Sequence, residues 1–481
     1  MAQRDFPGAR HHAIVIGGSL TGLLAARVLA DHFDSVTLVE RDAVTTEPNP
    51  RKGVPQGHHV HGLLAKGQEV LSQLFPDLVP ALLAGGAISG DMGRDIRWHD
   101  FGVWKVRFDS GIGGMLLTRP YLECQIAERV RMRPNVRILE ATVDGLAFDP
   151  DGKRVTGVRI RPQAGGSSAL IADLTIDASG RGSHTPHWLE ALGYCKPAES
   201  TVKVNVMYAS RLYRPGPERT DWKGLLITPR PPDKKMATVF AVEGNRWLVT
   251  LGGFHGVRPP TDEAGYLEFA RTLPVPDVYR AIASAEPLTP IATHKFPTDI
   301  RRRYERMKPF PERFVVMGDA FCSFNPVYAQ GMTVAAREAM TLDHVLRERT
   351  GRRASLDGLP ARFHSKIADI IDSAWGPASA EDFRHEEAVG ERPPGLAFIH
   401  WYTGRIHERC THDTSLALAF YRVMHMIDPP AALFRPSVIA RVLRRVPKPG
   451  DRVSTRDVMA GVHDSSSGST LHPRAPFRQC P

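Results

Sequence analysis

Residues 12–40 constrain this chain more than any other stretch. They read H-A-I-V-I-G-G-S-L-T-G-L-L-A-A-R-V-L-A-D-H-F-D-S-V-T-L-V-E. Residues 13–16 are apolar without alternation, as in a strand buried on both faces. Gly17-Gly18-Ser19-Leu20-Thr21-Gly22 follows as a tight turn. Residues 20–30 then suit a helix packed on a sheet, and residues 36–39 a second buried strand that ends on Glu40. Strand, glycine turn, helix and strand ending in an acid form the dinucleotide-binding pattern. Gly17 permits the turn, Gly22 lets helix and strand approach, and the helix N-terminus offers unpaired N–H groups to a pyrophosphate. Glu40 is placed to accept from a ribose. Ser19 stands where the pattern has its middle glycine, and its hydroxyl can itself donate to a phosphate.

At 481 residues the chain calls for two or three domains. It is 42% apolar and 24% charged, an ordinary globular balance. No apolar run reaches the roughly 18 residues of a membrane-spanning helix. No signal-peptide core precedes the glycine turn, so a cytoplasmic location is expected. The five cysteines (Cys124, Cys195, Cys322, Cys410 and Cys480) are scattered, which suggests neither a zinc site nor a disulfide framework. The net charge of +10 comes without a nucleic-acid-binding signature. It fits a solvated basic face or a bias toward anionic cofactors and membrane surfaces.

Past Glu40 lies a polar loop, R-K-G-V-P-Q-G-H-H-V-H (residues 51–61), then a helix near 63–74. Residues 76–114 are short apolar pieces broken by glycines, with Trp98 and Trp104. A helix is expected over 120–132, with Arg119 just before it. Strands are expected at 136–139, 143–148, 155–160 and 170–176, the last ending in D-A-S-G-R-G-S (177–183). Further strands are expected at 202–213, 224–228, 236–242 and 247–252, with short helices at 262–272 and 276–285. Residues 314–320 form another apolar strand ending in Gly318-Asp319-Ala320, and Gly331 opens a helix to about 347. Helices near 359–375, 395–409, 413–427 and 430–445 follow; residues 433–446 read as an amphipathic basic surface helix, with membrane contact as the alternative. The Ser-, Gly-, Pro- and Arg-rich tail from 448 is expected to be disordered.

Three motifs therefore stand at strand ends, where α/β sheets bind ligands. Asp319 can accept from a hydroxyl, and the Gly331 and Met332 N–H groups, at a helix N-terminus, suit partial negative charge. Asp177 and Asp319 also allow a plainer reading as turn-formers. No carboxylate or cysteine completes a metal site around His58, His59 and His61, so the loop is better read as lining a ligand, with His58 in solvent.

The order of these motifs resembles the FAD-dependent monooxygenases of the aromatic-hydroxylase and squalene-epoxidase type. The carriers are the glycine turn with Glu40, Arg119 before a helix, D-A-S-G-R-G-S, and G-D-A-x5-P-x4-G-M. Within that superfamily, R-K-G-V-P-Q-G-H-H-V-H and N-P-V-Y-A-Q-G-M most resemble the bacterial polyether-type epoxidase branch. The resemblance implies an α/β, Rossmann-like FAD-binding domain of the glutathione-reductase and p-hydroxybenzoate-hydroxylase type, a mixed β-sheet substrate domain and a C-terminal helical region. The FAD-binding domain is expected in three parts (1–75, 115–185 and 291–350), the substrate domain in two (76–114 and 186–290), then helices (351–447) and the tail (448–481). It places FAD on Gly17, Ser19, Leu20, Thr21, Gly22, Glu40, Arg41, Arg51, Gln56, Arg119, Asp319, Pro326, Gly331 and Met332.

The implied chemistry is transfer of one atom of O2, through a flavin 4a-hydroperoxide, to a lipophilic alkene or an aromatic ring. The flavin carries that chemistry, which accounts for the lack of an obvious catalytic triad. Epoxidation needs no protein base, whereas phenol hydroxylation benefits from one. Tyr208, Tyr213 and Tyr328 are candidates on the substrate side, and the sequence does not choose among them. The middle motif has Asp177-Ala178 where relatives that bind NAD(P)H directly have D-G, so a separate flavin reductase is an alternative electron source. The rival readings are an FAD-dependent reductase of isoprenoid double bonds, a flavin halogenase (whose W-x-W-x-I-P motif is missing) and a non-catalytic flavin-binding protein.

Overall fold

The computed structural model describes residues 11–44, 47–163, 165–217, 220–348 and 355–444. The tail from 448 and the end of the last expected helix lie outside the described residues.

The first strand, His12–Ile16, lies inside a seven-stranded sheet. It pairs in parallel with Ser35–Glu40 on one side and Leu174–Asp177 on the other. Phe314–Val316 continues the parallel set beyond Leu174–Asp177. Val136–Phe148 extends it beyond Ser35–Glu40, followed by the antiparallel strands Val155–Pro162 and Ser168–Ile171. Ala13, Ile14 and Val15 are fully buried, which explains their unbroken apolar run. The Leu20–Leu29 helix and the Gly331–Arg347 helix pack over this sheet. Fully burying each of their Leu and Val side chains contributes about 1.5–3 kcal/mol.

A second sheet of ten strands carries the β-rich part of the chain. Its central strands are Glu199–Arg214, Arg246–Gly253 and Lys235–Val242, in antiparallel array. Ala292–Arg302 flanks Glu199–Arg214, a long strand with no counterpart among the expected elements. Residues 76–114 resolve into the helix Leu78–Ala84 and several short strands. One of them, Ile96–Asp100, joins the second sheet beside Gly224–Ile227.

Several boundaries differ from expectation, among them the helix expected over 430–445, which breaks into the short turn Pro430–Phe434 and the helix Pro436–Leu443. Residues 136–148 form one strand, bent by a register shift between Val143 and Gly145. Residues 170–176 split into Ser168–Ile171 at one edge of the sheet and Leu174–Asp177 between His12–Ile16 and Phe314–Val316. The helix expected to stop at 375 runs on from Leu359 to Asp382 through Pro377. No described helix is long and apolar enough to cross a membrane. The short helix Pro436–Leu443 turns Val438 and Val442 inward, and Arg441 pairs with Asp413 outside, so this piece of the basic segment packs on the protein.

Candidate active site

The parallel register brings the three strand-end motifs side by side. Ile16 is opposite both Val39 and Asp177, and Asp177 is opposite Val316. Gly17, at φ +98°, turns the chain so closely that a Cβ there would lie 2.6 Å from the Ala178 carbonyl oxygen. Gly22 is tighter still, since a Cβ would fall 1.8 Å from the Gly17 carbonyl oxygen. Gly318, also at positive φ, rests against Thr21, whose Oγ1 a Cβ would approach to 2.6 Å. Segments near 17, 178 and 318 thus share one small volume. Glu40 closes its side, accepting from the Gly18 N–H at 2.5 Å and the Asp42 N–H at 3.1 Å.

One residue at this turn was not anticipated from the sequence. Glu123, on the Arg119–Arg131 helix, accepts from the Ser19 hydroxyl at 2.8 Å and the Leu20 N–H at 3.2 Å. Arg119 donates to Glu123 at 2.9 Å and to Ser19 Oγ at 3.0 Å, and Arg51 donates to Glu123 at 3.0 Å. These two guanidinium groups help hold the buried Glu123 carboxyl below its usual range despite desolvation. The only local signal was its i+4 spacing from Arg119. Arg51 keeps Nη1 buried without a hydrogen-bond partner, a donor free for an anion beside the glycine turn. Arg41 is 67% exposed and lies next to Asp42, and Gln56 is half-buried in the turn Pro55–His58.

The two strand-end aspartates, Asp177 and Asp319, divide by role. Asp177 is fully buried and saturated, accepting from the Ser179 N–H and the hydroxyls of Ser179, Ser183 and Thr185. It is a turn-former, as the plainer reading held. Asp319 is different: it is solvent-accessible and accepts no hydrogen bond among the described residues. Crowding by protein pushes its carboxyl upward, opposed by the guanidinium groups of Arg119 and Arg181. Pro326 is exposed, and Gly331 opens the Gly331–Arg347 helix with nothing within 4 Å of a Cβ built there; Met332 behind it is buried.

In the histidine loop, His58 is exposed, whereas His59 and His61 are enclosed. Burial lowers both of the latter to about 3, so they are neutral at physiological pH. Nearby Arg119 adds to the shift at His61. His59 Nδ1 lies 2.7 Å from Ser210 Oγ.

A cavity of about 520 Å3 adjoins this region. Gly62, Leu63 and Leu64 line it on one side and Tyr328, Ala329 and Gln330 on another, immediately before Gly331. Most of its wall is apolar, with Trp98, Phe240, Leu396 and Phe420 among its residues. Of the three candidate tyrosines, only Tyr328 lines it. Tyr208 is buried beside it, donating to Asn325 Oδ1 at 3.0 Å. Tyr213 packs in a separate cluster with Trp222 and Trp247, because alternation along Glu199–Arg214 turns it to the other face of the sheet region. At the far end Asp100 meets Lys105 Nζ at 2.9 Å and His407 Nδ1 at 2.6 Å, all buried.

No protein-family model matches the chain. Over 407 residues it is 31% identical to Protein Rv3254 of Mycobacterium tuberculosis, an alignment covering 81% of this chain and 85% of the relative. The chain belongs to the Rv3254 family. A further relative, kynurenine 3-monooxygenase of Salinispora arenicola, is 28% identical over 405 residues, 78% of this chain and 80% of that protein. Among solved structures, p-nitrophenol 4-monooxygenase PnpA of Pseudomonas putida superposes with a TM-score of 0.63 at 15% identity, covering 87% of this chain and 98% of that one. PqsL of Pseudomonas aeruginosa, described as a probable FAD-dependent monooxygenase, gives 0.59 at 14% identity over 78% and 97%. The flavin-dependent brominase Bmp2 gives 0.57 at 13% identity over 85% and 97%. This member of the Rv3254 family therefore has the fold of flavin-dependent monooxygenases, with mixed sheets and a C-terminal helical region, as the sequence led one to expect.

In this Rv3254-family fold, Glu338 ties the third motif to its helix. It is fully buried, accepts from the Gly318 N–H at 2.6 Å, and leaves its other oxygen without a partner. Desolvation, reinforced by Asp319, raises its carboxyl to about 8. The native state therefore holds a proton between pH 4.5 and about 8 that the unfolded chain releases, so stability falls as pH rises through that window. Glu338→Gln is expected to flatten the fall while keeping an acceptor for Gly318. Thermal midpoints measured across that pH range check this, and an unchanged slope would contradict it.

Proposed function

We propose that this chain is an FAD-dependent monooxygenase acting on a lipophilic substrate. The observation that carries the reading is a largely apolar cavity of about 520 Å3 that reaches Tyr328, Ala329 and Gln330 at the start of the Gly331–Arg347 helix, in a fold where three strand-end motifs converge on one turn. The residues fit the cofactor: Gly17, Gly22 and Gly318 leave no room for side chains, Arg51 has an unpartnered buried N–H, and Asp319 and Gly331 face open space. Gly17, Ser19, Leu20, Thr21 and Gly22, with Arg51 and Arg119, would hold the pyrophosphate. Glu40, with Arg41 and Gln56 nearby, would hold the adenosine side. Asp319 and Pro326 would flank the ribityl segment, and Gly331 and Met332 the ring.

When bound, the flavin supplies activation of O2 and delivery of one oxygen atom to the substrate. The protein's own contributions are orientation by the cavity wall, exclusion of water, and the N-terminal end of the 17-residue Gly331–Arg347 helix, which stabilises negative charge. The relatives named as monooxygenases support this reaction class. The epoxidase-like reading rests on the histidine-loop and N-P-V-Y-A-Q-G-M motifs. Electrons come from NAD(P)H, directly or through a separate flavin reductase; the Asp177-Ala178 pair favours the latter.

Purified protein is expected to be yellow and to consume O2 with a lipophilic alkene or phenol, the product gaining one oxygen by mass spectrometry. Colourless protein that cannot be reconstituted with FAD would refute the proposal. Asp319→Ala is expected to weaken FAD binding about tenfold to a hundredfold, the range for a lost hydrogen bond to a charged group. The thermal midpoint of the flavin-free protein should barely move, because the Asp319 side chain accepts no hydrogen bond among the described residues. Flavin-to-protein absorbance and a melting curve read both effects.

A further inference from the structure

The helix Leu359–Asp382 continues past Pro377 for one further turn, and that turn delivers Asp382 to the cavity wall. Asp382 is 1% exposed, and its neighbour Asp299, from the strand Ala292–Arg302, is 2% exposed. The two carboxyl groups interact side chain to side chain. Asn325 Nδ2 donates to Asp382 Oδ1 at 2.9 Å, and the Tyr328 hydroxyl donates to the same oxygen at 2.8 Å. Asp382 Oδ2 and both oxygens of Asp299 remain buried without a hydrogen-bond donor. Of this group, Asp382 and Tyr328 line the cavity.

Two carboxylates this deeply buried and this close cannot both be ionised, so the pair shares a proton. Desolvation raises both groups, Asp382 far above the carboxylate range and Asp299 to about 6. The charged and titratable groups around them are Arg181 beside Asp299, Tyr208 behind Asn325, Tyr328 on the cavity side and Glu381 next in the helix. Near neutral pH the pair is a monoanion able to accept one more proton, which is the state a general base requires. A structural carboxyl pair would need no tyrosine hydroxyl leading from it to an apolar cavity.

We propose that Tyr328 and the Asp382–Asp299 pair form a proton relay that opens on the cavity and takes the proton of a substrate hydroxyl. The substrate O–H bond breaks and its proton passes to the Tyr328 oxygen, the proton Tyr328 held passes to Asp382, and the proton Asp382 held passes to Asp299, so that the monoanionic pair ends neutral. No electrons change hands. Tyr328 is the group that meets substrate, Asp382 passes the proton on, and Asp299 behind it is the final acceptor. The substrate class is then a lipophilic phenol or enol, which becomes electron-rich on ionising, rather than a plain alkene, which has no such proton to give. This inference rests on the monooxygenase reading and specifies its substrate.

The test uses 4-nitrophenol as probe, whose ionised form absorbs at longer wavelength than the neutral one. It is titrated with pH on the FAD-loaded protein and on Tyr328→Phe and Asp382→Asn, by difference spectra against protein without probe. The bound probe is expected to ionise in the wild type at a pH lower by about one unit, a tenfold shift, than in either variant. Asp382→Glu should recover part of that shift. A probe that does not bind, or that ionises at the same pH in all three proteins, overturns the relay. Should Asp382→Asn fail to fold, Tyr328→Phe, which loses one hydroxyl, decides alone. Flavin content is measured separately on the wild type: absence of FAD refutes the monooxygenase reading, whereas unmoved ionisation with FAD present refutes only the relay.

Discussion

Gly17→Val is expected to produce protein without flavin and with a lower denaturation midpoint. The backbone at this position is at φ +98°, where a β-branched residue is strongly strained, and its Cβ would sit 2.6 Å from a neighbouring carbonyl oxygen. Nothing can move aside cheaply, because the contact is backbone, just past the ends of two paired strands of the parallel sheet. The cost should reach about 3 kcal/mol or more, by strain and overpacking together. Any relief must open the gap between Ile16 and Ala178, where the turn would grip a pyrophosphate. Gly17→Ala carries the same positive φ and should show the effect in milder form. Flavin absorbance and urea midpoints give the answer, and a Gly17→Val protein that keeps full FAD would remove this turn from the cofactor site.

Asp100→Ala should be as damaging for a different reason. Lys105 is 5% exposed and depends on Asp100 for its counter-charge; its ammonium also donates to the His407 carbonyl oxygen at 2.8 Å and lies 3.3 Å from His407 Nδ1. Thr228 also donates to Asp100, at 2.6 Å, and the Phe101 ring stacks on His407 with centroids 4.3 Å apart. Removing the carboxylate leaves a buried ammonium unpaired, which costs about 3–5 kcal/mol. The loss would fall on the contact between residues 96–105 and the helix Leu396–Arg409, and so on the far end of the cavity. Replacing both partners, Asp100→Asn with Lys105→Met, should recover most of the stability, because the expensive state is the unpaired charge and not the absent pair. Urea unfolding of the single and double variants tests this. A double variant no better than Asp100→Ala would show that shape, rather than charge, holds this end together.

The sequence carried the dinucleotide half of the molecule well. Strand, turn and helix over residues 12–40 declare themselves locally, because a buried parallel strand, a glycine turn and an acid at the next strand end are each readable within a few positions. Gly318-Asp319 and Gly331 were legible for the same reason. The element ends went astray where long-range pairing overrode local signals: Ala292–Arg302 is a strand because Glu199–Arg214 offers it an edge. The helix expected to end near 375 runs on through Pro377. The sacrificed N–H bond is a local cost, and packing of Ala380 and Phe383 against the second sheet's cluster outweighs it.

By itself, then, the amino-acid order determined the kind of fold and the residues at three strand ends, since those depend on periodicity and turn chemistry within short windows. Only the tertiary structure decided that Asp177 is a saturated turn-former while Asp319 stands open, and that Tyr328, not Tyr208 or Tyr213, lines the cavity. It alone brought Glu123 to Ser19 across 104 positions and Lys105 to His407 across 302. Burial and the pairing of charges are properties of neighbours in space, and no spacing along the chain encodes which distant carboxylate will share a dry pocket with which base.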